Sequence, residues 1–491
     1  MSEFSILEAQ QAMDRGETSP LELVKQYLER IIALDKSGPK LNSILELNPD
    51  ALFIAEALDA ERKSKGARGP MHGIPVLIKD NIDTKDKMHT SAGSLALASS
   101  YAGEDAFLVK RLRSAGAIIL GKTNLTEWAN FMTKGMPNGY SSRGGQVLNP
   151  YGPGKFDTGG SSSGSAVAVA ARLAMVAVGT ETSGSILSPA SANSIVGIKP
   201  TVGLISRSGV IPISHSQDTP GPMARTVTDA AILLGALAGV DEGDPATWHS
   251  AGRYPQDYRQ SLDAKGLRGA RLGVCRQYYK GLDDAGQEVV EATLLLLREL
   301  GAELVDPVEI ASFDEPFDIN VLLYEFKANL NAYLQPLKPF VPVHSLQDVI
   351  VFNSHDPSQR MQFGQSLLIA SQATSGTLTE PEYINSRLRD IRLSRTEGID
   401  KAMRDYSLDA LIFPNNHGAS IAAKAGYPSI TVPAGYTTEG RPLGLTFTAR
   451  AYEEPTLLRL AYSFEQGRLA LGTEPVAWRG PDLGDFVRAI I

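Results

Sequence analysis

The sequence is poor in several features that mark whole classes of protein, cysteine first among them. Its 491 residues include one cysteine, Cys275. A single thiol cannot form an intramolecular disulfide, which excludes a disulfide-stapled secreted scaffold and is compatible with a reducing compartment. Cys275 ends an apolar segment that begins at Arg271, and we interpret it as a small buried hydrophobic side chain.

Long apolar runs and long runs of one charge are also missing. No stretch approaches the roughly 18 uncharged apolar residues of a membrane span, and the first five residues lack the basic and apolar segments of a signal peptide. The formal net charge is −8, with acidic and basic residues interspersed. We therefore expect a cytoplasmic protein with no membrane span and no nucleic-acid partner.

Histidine patterns that hold metals or complete a Ser-His-Asp triad are absent as well. The seven histidines are scattered singly, and none forms an H-E-x-x-H or similar spacing. The sequence therefore predicts neither a metal nor a cofactor, and each histidine is interpreted as a surface or satisfied core residue: His72, His89, His215, His249, His344, His355 and His417.

What the sequence does contain is an alternation of helix and strand signals. Ser19, Pro20 and Glu22 form an N-cap, a first-turn proline and a capping-box glutamate, so a helix is predicted from there. Short apolar segments within 73–80 and 117–121 are predicted as buried strands. This alternation predicts an α/β architecture with a parallel or mixed sheet.

The pattern stops between residues 131 and 165, where Gly, Pro, Ser and Asn dominate. Long loops inside compact enzymes are usually functional or disordered. This one ends in Gly159–Ser165, which allows three interpretations: a flexible linker, a nucleophile elbow centred on Ser162, or a serine cluster that moves protons at a helix N-terminus. An elbow needs a strand before it, and the Pro- and Gly-rich residues 150–158 do not provide one.

A second small-residue segment, Gly179–Ser185, directly follows a predicted strand. Turns at the carboxyl ends of strands are where α/β sheets build sites. Consecutive small residues let several backbone N–H groups point into one cavity, as an oxyanion hole requires, and Ser185 would lie beside them. An ordinary strand-to-helix turn remains the alternative.

Lys79 ends one of the apolar strands. It is either an exposed strand-end cation or a general base. A base must be neutral, so burial would have to lower its pKa from about 10.4 by roughly 3 units, at a cost of about 4 kcal/mol. Asp80 is adjacent, but neighbouring residues of a strand point to opposite faces, so it need not raise that pKa.

Together these three segments resemble the amidase signature family. Its motif of the type G-G-S-S-G-G-S is matched by Gly159–Ser165, and G-T-D-T-G-G-S-I-R-x-P-A by 179–190. Ser161 and Ser185 are 24 residues apart, as the family expects. The resemblance covers nearly the whole chain and is weakest over 241–406. Further matching segments are 73–80, 90–94, 197–201, 221–225 and 428–435.

The resemblance implies one amidase domain over 1–491, with the amidase-signature fold: a large mixed β-sheet covered by helices on both faces. Within it, 241–406 would be a variable, substrate-covering region. It further implies a Ser-cisSer-Lys triad in which Ser185 is the nucleophile, and Ser161, in a cis peptide after Gly160, links it to neutral Lys79. Backbone amides would form the oxyanion hole, namely those of Thr182, Ser183, Gly184 and Ser185.

Three departures from the motif, Glu181, Ser183 and Leu187, lead away from the glutamine-tRNA amidotransferase subunit. With the segment 216–223 they resemble bacterial peptide amidases. The implied activity is hydrolysis of linear carboxylic amides, including C-terminal peptide amides, to acid plus ammonia or amine through an acyl-enzyme.

Other activities remain alternatives: a glutaminase-type subunit of a tRNA-dependent amidotransferase, an aryl-amide or carbamate hydrolase, and a catalytically silent binding protein. The expected partner is a small-molecule or peptide amide substrate, and the expected state is a monomer or homodimer.

Overall fold

A computed structural model describes residues 4–315 and 317–470. Both ends of the predicted 1–491 domain, residues 1–3 and 471–491, therefore lie outside the described residues. The strands are β1 Ile44–Leu47, β2 Pro75–Lys79, β3 Ile118–Thr123, β4 Tyr140–Ser141, β5 Gly145–Gln146, β6 Val176–Glu181, β7 Val196–Lys199, β8 Thr219–Ala224, β9 Arg271–Val274, β10 Glu303–Val305, β11 Ala410–Pro414, β12 Ser429–Tyr436 and β13 Pro442–Thr448.

Eleven of these strands form one sheet, in the order β1-β3-β2-β6-β8-β7-β12-β13-β11-β9-β10. β2 pairs in parallel with both β3 and β6, whereas β6 pairs antiparallel with β8. The predicted mixed sheet is confirmed. Because β2 and β6 are parallel neighbours, their carboxyl ends, and whatever follows them, lie at the same edge of the sheet.

The helices are α1 Ile6–Asp14, α2 Pro20–Arg30, α3 Ala51–Lys65, α4 Phe107–Ser114, α5 Glu127–Asn130, α6 Ser163–Ala170, α7 Leu187–Ala192, α8 Val227–Leu237, α9 Asp284–Glu299, α10 Asn320–Leu334, α11 Leu346–Ser354, α12 Pro357–Arg360, α13 Ser366–Gln372, α14 Pro381–Ile391, α15 Asp400–Asp405, α16 Ala419–Ala425 and α17 Glu454–Ala470. α2 begins as the sequence predicts, since the Ser19 hydroxyl accepts the Glu22 N–H at 3.2 Å. None of the helices in the described ranges is long and apolar enough to cross a membrane.

Helices cover both faces of the sheet, as expected. Alternate residues of β2 enter different hydrophobic cores: Val76 and Ile78 belong to the core that also contains side chains of α4, α8 and α17, whereas Leu77 belongs to the core that contains side chains of α3 and α6. Successive side chains of a strand point to opposite faces, so a strand apolar at every position must be buried on both. All five residues of β2 are buried, Lys79 included.

The 131–165 loop is irregular except for the two-residue pairing of β4 with β5. It ends where α6 begins at Ser163. α6 is buried along its entire length and lies against β2 and β6. The serine-rich segment 159–165 is therefore the buried entry into a core helix, not a flexible linker.

The segment 241–406 has two structural parts. β9 and β10 extend the main sheet, and Cys275, directly after β9, is buried as predicted. Helices α10, α11 and α13 instead form a separate apolar core with the loop around Phe131, through residues such as Phe326 and Leu368. Residues of this second part, Leu322 and Leu367, line a cleft together with Ser185, beyond the carboxyl end of β6.

Candidate active site

Lys79 is the last residue of β2, and its side chain is fully buried. Its Nζ donates to Ser161 Oγ at 2.8 Å, to Thr180 Oγ1 at 2.9 Å and to Ser162 Oγ at 3.0 Å. The Thr180 carbonyl lies 3.3 Å away. The lysine is thus surrounded by neutral oxygens, and no carboxylate within residues 4–315 and 317–470 is among its direct partners.

Burial is the main influence on this lysine. It lowers the pKa of Lys79 from 10.5 to about 7, although the nearby negative charges of Glu181 and Asp218 oppose the shift. Asp80 is not among the charges that raise it. As expected from strand geometry, the Asp80 carboxylate is directed elsewhere, and its Oδ2 accepts the Gly93 N–H at 3.1 Å. Near neutral pH a substantial fraction of Lys79 is therefore an uncharged amine that can accept a proton.

Ser161 lies on the loop that enters α6, directly after a cis peptide bond between Gly160 and Ser161. Gly160 leaves no room for a side chain, since a Cβ there would lie 2.6 Å from Thr126 Oγ1 and 2.7 Å from Asn138 Oδ1. The Ser161 carbonyl accepts the Thr126 N–H at 3.0 Å, and its side chain is fully buried. These contacts hold the Ser161 hydroxyl against Lys79.

Ser185 lies on the turn after β6, Thr182–Ser185, called the 182–185 turn below. The Ser162 N–H donates to the Ser185 carbonyl at 3.1 Å, so this turn and the loop of Ser161 are adjacent. Ser185 is 8% exposed. Across the described ranges no hydrogen bond joins the hydroxyls of Ser161 and Ser185. The three residues implied by the resemblance therefore converge, with one direct link between Lys79 and Ser161.

The Glu181 carboxylate accepts hydrogen bonds from backbone N–H groups of the 182–185 turn and of the residues that follow it. Its Oε1 accepts the Gly184 N–H at 2.8 Å, and its Oε2 accepts those of Ile186 at 2.7 Å and Leu187 at 3.0 Å. Gly184 was predicted to contribute to the oxyanion hole, but its amide donates to this carboxylate. Within residues 4–315 and 317–470, the amides of the other expected donors have no acceptor: Thr182, Ser183 and Ser185.

Two clefts meet at the 182–185 turn. The first, called the apolar cleft, has a volume of about 380 Å³ and is lined by Ser185, Thr182 and Ser183, and by side chains that include Phe131, Met136, Ile213, Ile319, Leu322 and Leu367. The second, called the polar cleft, has a volume of about 490 Å³ and is lined by Ser183, Gln277, Tyr278, Lys280, Phe313, Asn416, His417, Ala419 and Ser420. Asn130, Thr133 and Lys134 also line the apolar cleft, so Ser185 opens towards a space with a mainly apolar wall and a few polar side chains.

No histidine takes part in this arrangement. His417 lines the polar cleft, and its Nδ1 lies 2.7 Å from the Tyr278 carbonyl oxygen. In the part of the chain that the structure describes, none of the seven histidines hydrogen-bonds to Lys79, Ser161 or Ser185. Over the same residues no group of three or more His, Cys, Asp or Glu side chains is arranged to hold a metal ion.

Comparison with known proteins identifies the family. The sequence profile of the family described as Amidase matches residues 22–423. The chain belongs to the amidase family.

Three relatives show how similar this chain is to other proteins of the family. A probable amidase of Arabidopsis thaliana is 43% identical over 95% of this chain and 91% of its own. The solved structure of native peptide amidase from Stenotrophomonas maltophilia is 47% identical, with a TM-score of 0.88, over 95% of this chain and 97% of that one. A glutamyl-tRNA(Gln) amidotransferase subunit of Halorhodospira halophila is 33% identical over 95% of this chain and 97% of its own. The expected amidase-signature fold is thereby confirmed.

Several residues of the candidate site had no assigned chemistry in the sequence prediction beyond the elbow alternative centred on Ser162. Lys79 Nζ donates to the hydroxyls of Ser162 and Thr180, and Asn81 Nδ2 donates to Thr180 Oγ1 at 3.0 Å. Thr180 was within a segment already singled out, but its inward orientation follows from the pairing of β6. Asp218, which bonds the Thr182 hydroxyl, is 36 residues away in sequence, and no local pattern connects the two.

Proposed function

We propose that this amidase hydrolyses linear carboxylic amides, C-terminal peptide amides among them, with Ser185 as nucleophile. The observation that carries the proposal is the hydrogen bond of 2.8 Å between fully buried Lys79 and Ser161. An amine with a pKa near 7 has the basicity that a general base needs at neutral pH. The adjoining 182–185 turn supplies a hydroxyl and unengaged backbone amides.

In the proposed mechanism, neutral Lys79 takes the Ser161 proton while Ser161 takes that of Ser185. The Ser185 oxygen attacks the amide carbonyl carbon, and the amides of Thr182, Ser183 and Ser185 stabilise the oxyanion. The proton then returns through Ser161 to the leaving nitrogen, the C–N bond breaks and ammonia or amine departs. Water, deprotonated by the same relay, attacks the acyl-enzyme and releases the acid.

The relay needs a second link, between the hydroxyls of Ser161 and Ser185. Catalytic hydrogen bonds are often long in a free enzyme and shorten only when substrate is bound. The proposal therefore expects the Ser185 hydroxyl to turn towards Ser161 when a carbonyl carbon occupies the mouth of the apolar cleft.

The apolar cleft supports an acyl group with a hydrophobic side chain. Its outer wall is formed by Ile319, Leu322 and Leu367, all from the segment predicted to cover the substrate. This supports the narrower proposal that part of 241–406, the helices α10 and α13, selects the acyl group. The 47% identity to a peptide amidase supports a peptide amide as the first substrate class to test.

The glutaminase alternative has weaker support. The amidotransferase subunit is 33% identical, against 47% for the peptide amidase. Glutamine presents a charged amino acid group to the enzyme. The outer wall of the cleft, Ile319, Leu322 and Leu367, is apolar, and its polar lining beyond the 182–185 turn consists of Asn130, Thr133 and Lys134. Aryl-amide and carbamate hydrolysis use the same acyl chemistry and remain alternatives. The cytoplasmic location and the monomeric or dimeric state stay predictions.

The test is a substrate panel with four single variants. Ser185→Ala, Ser161→Ala and Lys79→Ala are compared with Ser188→Ala, a serine three residues beyond the nucleophile, for hydrolysis of peptide amides, glutamine, aryl amides and carbamates. Loss of an activated nucleophile or its base lowers kcat by about 10⁴-fold or more. We expect that loss for the first three variants and none for Ser188→Ala. Unchanged peptide-amide turnover by Ser185→Ala would refute the proposal.

The panel also ranks the alternatives. Glutamine hydrolysis that exceeds peptide-amide hydrolysis would favour the hypothesis of an amidotransferase subunit. Co-purification with a partner protein on which the activity depends would also favour that hypothesis. A higher kcat/KM for aryl amides or carbamates would leave the mechanism intact and replace the substrate class. A fluorophosphonate probe that labels the wild type but not Ser185→Ala would independently identify the nucleophile.

A further inference from the structure

The first residue of the 182–185 turn is held through its side chain. Thr182 Oγ1 donates to Asp218 Oδ1 at 2.6 Å, and both residues are at least nine-tenths buried. The neighbouring Gln217 Nε2 donates to the Thr182 carbonyl at 3.2 Å. Two consecutive residues just before β8 thus fix both polar groups of Thr182 other than its amide. That amide has no acceptor among the described residues, and Thr182 lines the apolar cleft together with Ser185.

The other oxygen of Asp218 holds the wall of the apolar cleft. Its Oδ2 accepts the N–H groups of Ile213 and Ser214, both at 2.8 Å. Ile213 lines the apolar cleft together with Ser185. One carboxylate therefore ties the turn that carries the nucleophile to the surface that contacts the substrate.

The connection continues to the helix over the cleft. The hydroxyls of Ser214 and Ser216 donate to the carboxylate of Glu325 on α10, and the Ser216 N–H does so at 3.1 Å. Tyr383 on α14 adds a fourth donor at 2.9 Å. Glu325 is fully buried, so each of these bonds is protected from water.

We propose that Asp218 is a positioning residue for catalysis: through Thr182 it holds the 182–185 turn in the orientation that receives the oxyanion, and it couples that turn to the cleft wall and α10. This inference rests on the proposed function. Asp218 lies outside the apolar and polar clefts and does not contact the reacting atoms. Asp218 therefore affects the reaction rate by holding the 182–185 turn.

Such a role affects the rate more than binding. Oxyanion donors act on charge that develops only in the transition state, and removing one donor costs about 10²- to 10³-fold in kcat. Misorienting a turn without deleting its donors costs less, and we expect a loss of about 10- to 100-fold. KM should stay within about 2-fold, because interactions made only in the transition state do not contribute to ground-state binding.

The decisive variant is Thr182→Val, which keeps the shape of the side chain and removes only its hydroxyl. Its matched control is Thr293→Val in α9, another buried threonine whose hydroxyl makes one hydrogen bond, at 2.8 Å to Val289. We expect kcat for a peptide amide to fall 10- to 100-fold in the first, by the reasoning above, and to be unchanged in the second. Equal kcat in the two variants would overturn the proposal, as would a loss confined to KM.

Two substitutions of Asp218 supply a rescue test. Asp218→Ala removes every bond and should lose at least as much kcat as Thr182→Val. Asp218→Asn can turn its amide so that the oxygen accepts the Ile213 and Ser214 N–H groups and the nitrogen donates to Thr182. Because the bonds can be kept, Asp218→Asn should recover kcat to within about 3-fold of wild type, the scale of one altered hydrogen bond. An asparagine variant no better than the alanine variant would overturn positioning by hydrogen bonding.

Ser185→Ala separates this proposal from the one on which it rests. If Ser185→Ala remains active, the proposed function fails and the positioning role fails with it. If Ser185→Ala is inactive while Thr182→Val matches its control, only the positioning role of Asp218 fails. Thermal unfolding of each variant identifies any loss of activity that comes from loss of folded protein.

Discussion

Replacing Lys79 with methionine should abolish activity. At neutral pH it should also remove the free-energy cost of burying an amine that is protonated in the unfolded chain. Methionine has an unbranched side chain of similar length and carries no charge. Lys79 is fully buried in the folded chain and exposed to water in the unfolded chain, so folding changes its affinity for a proton. The stability difference between the two proteins must therefore depend on pH.

The magnitude follows from the pKa values. Burial lowers the pKa of Lys79 from 10.5 to about 7. Between these values the unfolded chain binds the proton and the folded chain does not, so the stability of the wild type rises with pH by about 1.4 kcal/mol per pH unit. Keeping Lys79 neutral costs the folded state about 4 kcal/mol at pH 7 and about 1 kcal/mol at pH 10, by the same linkage.

The variant also loses hydrogen bonds to Ser161, Ser162 and Thr180, at about 1 kcal/mol each. That loss is nearly the same at both pH values, whereas the proton cost is not. At pH 7 the methionine variant should be about as stable as wild type or slightly more stable. At pH 10 it should be less stable, and the difference between the two proteins should change by about 3 kcal/mol.

The assay is equilibrium urea unfolding of both proteins at pH 7 and pH 10. Lys65→Met is the control. Lys65 is exposed at the end of α3, so it stays in contact with water when the chain folds and is not desolvated as Lys79 is. The control's stability difference from wild type should be the same at both pH values. A Lys79→Met difference that changes by less than about 0.5 kcal/mol, within the error of such extrapolations, would refute the assignment of Lys79 as a neutral buried amine.

Three further predictions concern the turn, the cleft and the base. Gly184 has φ +84°, and an added Cβ would lie 3.1 Å from Asn416 Nδ2, so Gly184→Ala should lower kcat about 10-fold and the free energy of unfolding by about 1–3 kcal/mol, measured by kinetics and urea unfolding. Leu322→Arg places a charge in the wall of the apolar cleft and should raise KM for hydrophobic peptide amides about 10-fold while kcat stays within about 2-fold, which steady-state kinetics would detect. kcat/KM of the wild type should fall as pH drops below about 7, because Lys79 becomes protonated; in Asp218→Asn, which lacks a charge that raises the pKa of Lys79, this fall should begin at lower pH.

The parts of the site that the sequence predicts are those governed by short-range patterns. Pro75–Lys79 is apolar up to its last residue, so a buried strand that ends in a lysine follows from the sequence alone. Gly179–Ser185 follows a strand of the same kind, which predicts a turn at the carboxyl edge. That Ser161 rather than Ser162 is the relay came from the family resemblance, and in the structure both hydroxyls contact Lys79.

The parts that the sequence does not predict depend on contacts between distant segments. Ser214 and Glu325 are 111 residues apart, and Thr182 and Asp218 are 36 apart. Each is an ordinary polar residue in a stretch without periodicity, so its partner is defined only once β8 pairs with β6 and α10 packs over the cleft. Glu181 could be identified as a departure from the family motif, but its three backbone donors could not, because they depend on the conformation of the turn.

Two carboxylates, those of Glu181 and Asp218, act on the site in two ways at once. Both accept hydrogen bonds from the 182–185 turn, and both raise the pKa of Lys79 against the effect of burial. Burial without them would give a weaker base, and proton transfer becomes less favourable as the pKa of the base falls. The antiparallel pairing of Glu181 with Thr219 brings the two carboxylates to the same edge of the sheet. The strand register that shapes the turn therefore also sets the strength of the base. A substitution that removes the hydrogen bonds of either acid should alter the orientation of the nucleophile and the pH dependence together, whereas Asp218→Asn, which can keep the bonds, should alter the pH dependence alone.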